Sequence, residues 1–173
     1  MNKKQQTHDL ILKQAWQLFT DKGFENTSTR EISQRAGIAV GTLFSHFTTK
    51  IVILDECLTT RFDEVIKQAK DTDFHRSARL KLNHYAQYFF HFYCQHASFY
   101  RPLFACQLFT AQFQQQQVAL MQQLILADQP QFNKVKAAIL LDCYFMTLLY
   151  GLKDPQPNTK LMLRSLSQKV SLL

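Results

Sequence analysis

No proline occurs before Pro102, and only four glycines punctuate the 173 residues. A chain so short of breakers is free to stay helical over long stretches. Between the breaks the apolar residues recur every three or four positions, and no convincing alternation of strand type appears, so the sequence reads as all-α. A first helix is predicted over about residues 7–22, with Ile11, Leu12, Ala15, Trp16, Leu18 and Phe19 on one broad apolar face and Gly23 closing it. Ser28-Thr29-Arg30-Glu31 is a capping box that opens a second helix, which stops at Gly37. A short third helix is expected at 40–47 and a fourth from about 50 to 70. Further helices are predicted at roughly 76–97, 99–111, 113–128, 132–151 and 157–172, about nine in total.

The third helix is the informative one. At about 100° per residue, Val40, Leu43, Phe44 and Phe47 fall on one arc, and Gly41, Thr42, Ser45 and His46 on the other. The apolar arc is expected to pack on the first two helices. The opposite arc offers small groups, hydroxyls and an imidazole, with no long side chain to hold another surface away. The major groove of DNA admits a helix and presents base edges and phosphates to such groups. With the preceding helix and its Gly37 turn, the segment reads as a helix-turn-helix with the third helix in the recognition position. Lys50 opens the fourth helix, where a cation and free backbone N–H groups meet a phosphate together. The formal net charge of +7 and a pI of about 9.3 favour an anionic partner, either nucleic acid or an acidic membrane face.

The order of residues says more. The string ILKQAWQLFTDKGFENTSTREISQRAGIAVGTLFSHFTTK resembles the N-terminal DNA-binding domain of the TetR family of transcriptional regulators, over about residues 9–58. The resemblance includes Thr27-Ser28 ahead of the second helix, Ala36-Gly37-Ile38 at the turn, and Gly41-Thr42-Leu43-Phe44 leading to His46-Phe47 and Lys50. It implies that Thr29 and Arg30 meet a phosphate and a base edge. It implies that Val40, Gly41, Thr42, Phe44, Ser45 and His46 line the groove, and that Lys50 binds a phosphate. Three departures stand out: Phe44 where the family usually has tyrosine, Ala39 where a serine commonly caps the third helix, and Ile51-Val52 where acidic residues are usual. They suggest weaker phosphate anchoring or an uncommon half-site.

The remaining two thirds resembles the family only in size and helical character. Residues 84–109 are rich in aromatic side chains. On a wheel Tyr85, Phe89, Phe92 and His96 share an apolar arc, flanked by Phe90 and Tyr93, opposite a polar arc of His84, Gln87, His91 and Gln95. The arc reads either as bulky core or as a largely apolar effector cavity with a few polar handles. Asp142 interrupts the apolar run from 137 to 152 and, if buried, needs a partner such as Arg164, a tyrosine or a ligand. That run is too short to span a bilayer comfortably. It and the last helix, striped by Leu163, Leu166, Val170 and Leu173, lie where the TetR family forms its dimer, with Leu148 also assigned to that interface. The competing reading is that these helices close the monomer core.

The chain is therefore expected to divide at 49/50 into a helix-turn-helix domain and an effector-binding and dimerisation domain, with helix four as connector. It reads as a homodimeric repressor of the bacterial cytosol that binds a palindromic double-stranded operator and is released by a small apolar or aromatic molecule. The alternative is a DNA-bound protein of the same fold that acts through a protein partner without an effector. No nucleophile–base pair, paired carboxylates or phosphate loop marks an enzyme, and no cofactor is expected. His91 and Cys94 stand at i, i+3 without an acidic neighbour, so no metal site is expected either. The four cysteines form no CxxC pair and read as buried or half-buried thiols. No signal peptide and no basic amphipathic helix are evident, so a membrane partner is not expected.

Overall fold

The computed structural model describes residues 2–100, 119, 121–123, 125 and 134–171. Among the described residues there is no strand, and seven helices have both ends described: α1 (Lys3–Lys22), α2 (Thr29–Arg35), α3 (Val40–His46), α4 (Lys50–Asp71), α5 (Ala78–Gln95), α6 (Lys134–Lys153) and α7 (Thr159–Val170); residues 97–100, 119, 121–123 and 125 are also helical. Most of the helices predicted at 99–111 and 113–128, and the positions Cys106 and Leu173, lie outside the described residues. α1 begins four residues before the start predicted at residue 7. The Asn2 side chain accepts from the Lys4 N–H at 3.2 Å, and the following Lys-Lys-Gln-Gln run favours helix without showing a periodic face.

The chain divides into two compact units, one ending at Arg61 and the other beginning at Phe62. The boundary falls inside α4, the expected connector, and Ile53, Leu54, Cys57 and Leu58 of the first unit are buried. Cys57 also donates through Sγ to the Leu12 carbonyl at 3.4 Å, and burial pushes its thiol up to about 12. In this unit Ile11, Ala15, Leu18 and Phe19 of α1 form the base of the core, met by Ile32 of α2 and by Leu43 and Phe47. Seven residues are too few for a helix to stand alone in water. Burial of Leu43 and Phe47, worth roughly 1.5–3 kcal/mol each, is what fastens α3.

The start of α2 is set by chemistry visible in the sequence. Ser28 Oγ accepts from the Glu31 N–H at 3.2 Å, and Glu31 Oε2 accepts from the Ser28 N–H at 2.9 Å. Lys22 donates to the other Glu31 oxygen, and these bonds together hold the Glu31 carboxyl down at about 2. Gly37 then adopts φ +66°, a left-handed conformation that side chains disfavour, and the Ile38 N–H reaches back to the Ser33 carbonyl at 3.0 Å. This turn redirects the chain from α2 into α3.

In the second unit α5, α6 and α7 pack against one another. α6 does not stop at Gly151 but runs on to Lys153. A Cβ at Gly151 would stand 2.5 Å from Met162 Sδ and 2.7 Å from its Cγ, so this glycine serves the close approach of α6 to α7 and not helix termination. Residues Val135–Lys153 are long and apolar enough to cross a bilayer by composition alone. Yet Leu140, Leu141, Tyr144, Leu148 and Leu152 are buried, as in a core helix.

Of the residues assigned to a dimer interface, Leu148, Leu166 and Val170 are buried inside the chain itself, so these three close the monomer core. Leu163 is half-buried. Asp142 is exposed, so it neither lines a buried cavity nor needs an internal partner. The outward face of α6 instead carries Ile139, Met146 and Tyr150, the last 62% exposed, and Leu161 of α7 is likewise exposed.

Candidate functional site

The apolar arc assigned to α3 splits in the structure. Leu43 and Phe47 are buried, whereas Val40 is 38% and Phe44 47% exposed. The arc fails as one packing face because a helix this short rests on a narrow strip, and Val40 and Phe44 lie at its edge. Gly41, Thr42 and Ser45 are exposed beside them. The Ser45 hydroxyl donates to the Thr42 carbonyl at 2.7 Å, while Thr42's own hydroxyl has no hydrogen-bond partner among the described residues. His46 is half-buried, its ring 5.8 Å from that of His8, which stacks on Phe47 at 4.7 Å and places Nε2 3.1 Å from Glu56 Oε1. Ala39 offers no side-chain cap to α3, as its methyl group requires.

Gly41 is the most telling position. Its φ lies outside the left-handed range, and an added Cβ would meet nothing within 4 Å. Glycine in a helix costs about 0.5–1 kcal/mol relative to alanine. Nothing among the described residues requires that cost.

The cations around this surface are mostly engaged. Lys22 is bound to Glu31, and Arg35 lies 3.7 Å from Asp21. Lys50 Nζ donates to the Phe24 carbonyl at 2.7 Å and the Thr27 carbonyl at 2.9 Å, and it sits 4.2 Å above the Phe24 ring. Lys50 therefore ties the start of α4 to the loop between α1 and α2, a role its place at a helix start did not reveal. Arg30 is exposed on α2 and has no hydrogen bond or ion pair among the described residues, and half-buried Thr29 precedes it.

In the second unit the expected aromatic residues do come together. Tyr85, Phe89 and Phe92 are buried, and Phe62 of α4 lies 4.8 Å from Phe89 and 5.4 Å from Phe92. His96 meets the Phe92 ring edge-on at 4.7 Å. The Tyr85 hydroxyl already donates to Asp73 at 3.2 Å. Two hydroxyls are distinctive: those of Tyr93, which sequence reading placed only on the flank of the arc, and of Tyr144, which it did not single out, are buried without a hydrogen-bond partner among the described residues. A tyrosine where the apolar arcs would accept phenylalanine was the available signal. A shallow groove of about 430 Å³ lies elsewhere on this unit, lined by Gln87, Tyr88 and His91 of α5 and by Thr159, Lys160 and Leu163 of α7.

Two helices joined by a left-handed glycine turn, the second carrying a bare exposed face, form a helix-turn-helix. Residues 11–57 match the family model for bacterial regulatory proteins of the tetR family. No curated protein matches the chain. Among solved structures, the fold is similar to that of Thermus thermophilus FadR, a TetR-family transcriptional repressor in complex with lauroyl-CoA, at 16% identity over 95% of this chain and 92% of that one, TM-score 0.72. It is also similar to a TetR transcriptional regulator from Nitrosomonas europaea, at 15% identity over 95% and 96% of the two chains, TM-score 0.67. A TetR transcriptional regulator from Rhodococcus sp. RHA1 gives 15% identity over 99% and 97%, TM-score 0.65. At these identities the likeness is one of fold. Residues 11–57 thus carry the helix-turn-helix of the tetR family model, within a chain whose fold is similar to that of TetR-family structures.

Proposed function

We propose that the protein is a homodimeric repressor that reads a palindromic operator with α3 and is released by a small apolar or aromatic effector. The observation that carries the reading is Gly41, a glycine that the fold does not need on a face that is otherwise small and exposed. Thr42, Ser45, Val40 and Phe44 surround it, with Thr29 and Arg30 of α2 and part of His46 beside them. Phe44 contributes apolar contact, such as a thymine methyl accepts, in place of a phosphate hydrogen bond. Gly41→Ala separates the fold from the function. Thermal unfolding is expected to show a gain of up to about 1 kcal/mol, while fluorescence anisotropy shows weaker operator binding, and equal or tighter binding would count against the reading.

Lys50 belongs to this surface through the loop it holds. Lys50→Ala is expected to cost about 1–3 kcal/mol of stability, the range for leaving buried partners unsatisfied. A direct phosphate contact would lower the slope of log K against log salt by about one. The engaged ammonium predicts an unchanged slope, read from titrations between low and moderate salt.

A two-fold axis matches two half-sites one helical turn apart. The exposed stripe of Ile139, Met146 and Tyr150 on α6, with Leu161 of α7 also exposed, supports a second copy as its cover. Effector response is supported by the continuous aromatic cluster that joins α5 to Phe62 of α4. A ligand shifts such a protein only by binding one conformation better than the other.

A further inference from the structure

The core of the second unit contains two polar atoms that its packing does not use. Tyr93 on α5 and Tyr144 on α6 are both 0% exposed, and neither hydroxyl has a hydrogen-bond partner among the described residues. The Tyr93 ring packs on Phe62 at 5.4 Å and on Tyr100 at 4.9 Å, and the Tyr144 ring stacks on Phe90 at 5.1 Å. Buried tyrosine hydroxyls ordinarily find a partner, and phenylalanine would fill the same space without desolvating an oxygen. Burial raises both phenols well above their ordinary range, and Tyr144 and Tyr100 add to the effect on Tyr93, so both are neutral O–H donors at physiological pH. Among the described residues of this unit, Lys81 and Lys169 are the cations not fully exposed. Lys81 donates to Asp73 at 2.8 Å and Lys169 to Thr147 at 2.9 Å. The two phenols therefore offer donors in an apolar setting, with no described buried lysine or arginine left over for a carboxylate.

We propose that the hydroxyls of Tyr93 and Tyr144 anchor the effector, and that the effector is an uncharged molecule presenting a hydrogen-bond acceptor, such as a ketone oxygen, on an apolar body. This deepens the effector-responsive reading and rests on it. Tyr93 is the more consequential anchor, because its ring bears on Phe62 and α4 continues from there into the DNA-binding unit.

The test compares wild type with Tyr93→Phe and Tyr144→Phe by calorimetric titration and by thermal unfolding. The probes are 2-octanone, octane and octanoate, with acetophenone, ethylbenzene and benzoate as the aromatic series. The ketone of at least one series is expected to bind wild type better than its hydrocarbon and its carboxylate. Each substitution is expected to weaken the ketone about five- to tenfold, the worth of one hydrogen bond, and to leave the hydrocarbon unchanged. The unliganded variants should be as stable as wild type or more so. Ketone binding indifferent to both substitutions, preference for the carboxylates, no ketone binding to wild type, or clear destabilisation of the unliganded variants would each overturn the proposal. Operator binding by the same preparations separates the two levels. Variants that bind DNA but treat all probes as wild type does refute the anchor alone, whereas no DNA binding by any preparation refutes the regulator reading.

Discussion

Replacing Arg30 and Thr42 together by alanine is expected to weaken operator binding by about a hundredfold, from two lost contacts each worth about 1–3 kcal/mol at a base edge or phosphate. Both side chains are exposed, and neither has a hydrogen-bond partner among the described residues. The fold therefore has little to lose, and surface changes of this kind stay within about 0.5 kcal/mol. Lys22, Arg35 and Lys50 are tied to partners of their own, so Arg30 is the free cation between residues 22 and 50. The prediction is read by anisotropy titration of a labelled duplex, with thermal unfolding as the control. An unchanged affinity in a folded double variant would remove α2 and α3 from the reading surface.

The second large effect lies at the turn between α4 and α5. Asp73 accepts from Lys81 Nζ at 2.8 Å, from the Tyr85 hydroxyl at 3.2 Å and from the His75 backbone N–H at 3.0 Å. The His75 ring nitrogen lies 3.1 Å from the same carboxylate. The Asp73 and Lys81 side chains are only 5% and 7% exposed. Burial alone would raise the Asp73 carboxyl, but the Lys81 ammonium and the two His75 groups outweigh it and hold the carboxyl at about 2. Asp73→Ala removes the anion facing a buried ammonium and is expected to cost about 3–5 kcal/mol. The sign of the pH dependence follows. A carboxyl lowered in the folded state adds stability that is fully present above its unfolded value near 3.8 and is lost as pH falls through about 2. Wild type should therefore lose stability over that acid window more steeply than Asp73→Ala. Unfolding curves at neutral pH and across the acid range check both statements. A variant as stable as wild type, with the same acid slope, would contradict them.

The N-terminal unit was legible because its signals are local. A capping box, a left-handed glycine and a run of buried residues at helical spacing each act within a few positions, and the structure contains all three at Ser28–Glu31, Gly37 and Ile11–Phe19. Partner choice was not legible. Periodicity marks a stripe on the last helix but does not say whether the chain or another copy covers it, and Leu166 and Val170 turn inward. Lys50 had two ways to satisfy its ammonium, and the carbonyls of Phe24 and Thr27 lie more than twenty residues away in sequence. The Asp73 cluster escaped for the same reason, since Lys81 and Tyr85 reach it only once the turn after α4 has formed. Asp142 looked anomalous within an apolar run, yet its place on the helix faces outward.

The central claim is that α3 reads a specific sequence as half of a symmetric dimer. Selection of bound duplexes from a random DNA pool tests it most directly, using protein refolded to strip any resident ligand. A palindrome whose half-sites lie about one helical turn, roughly 10 base pairs, apart is expected to be enriched. Recovery of only salt-sensitive background, with no motif above the starting pool, would contradict it.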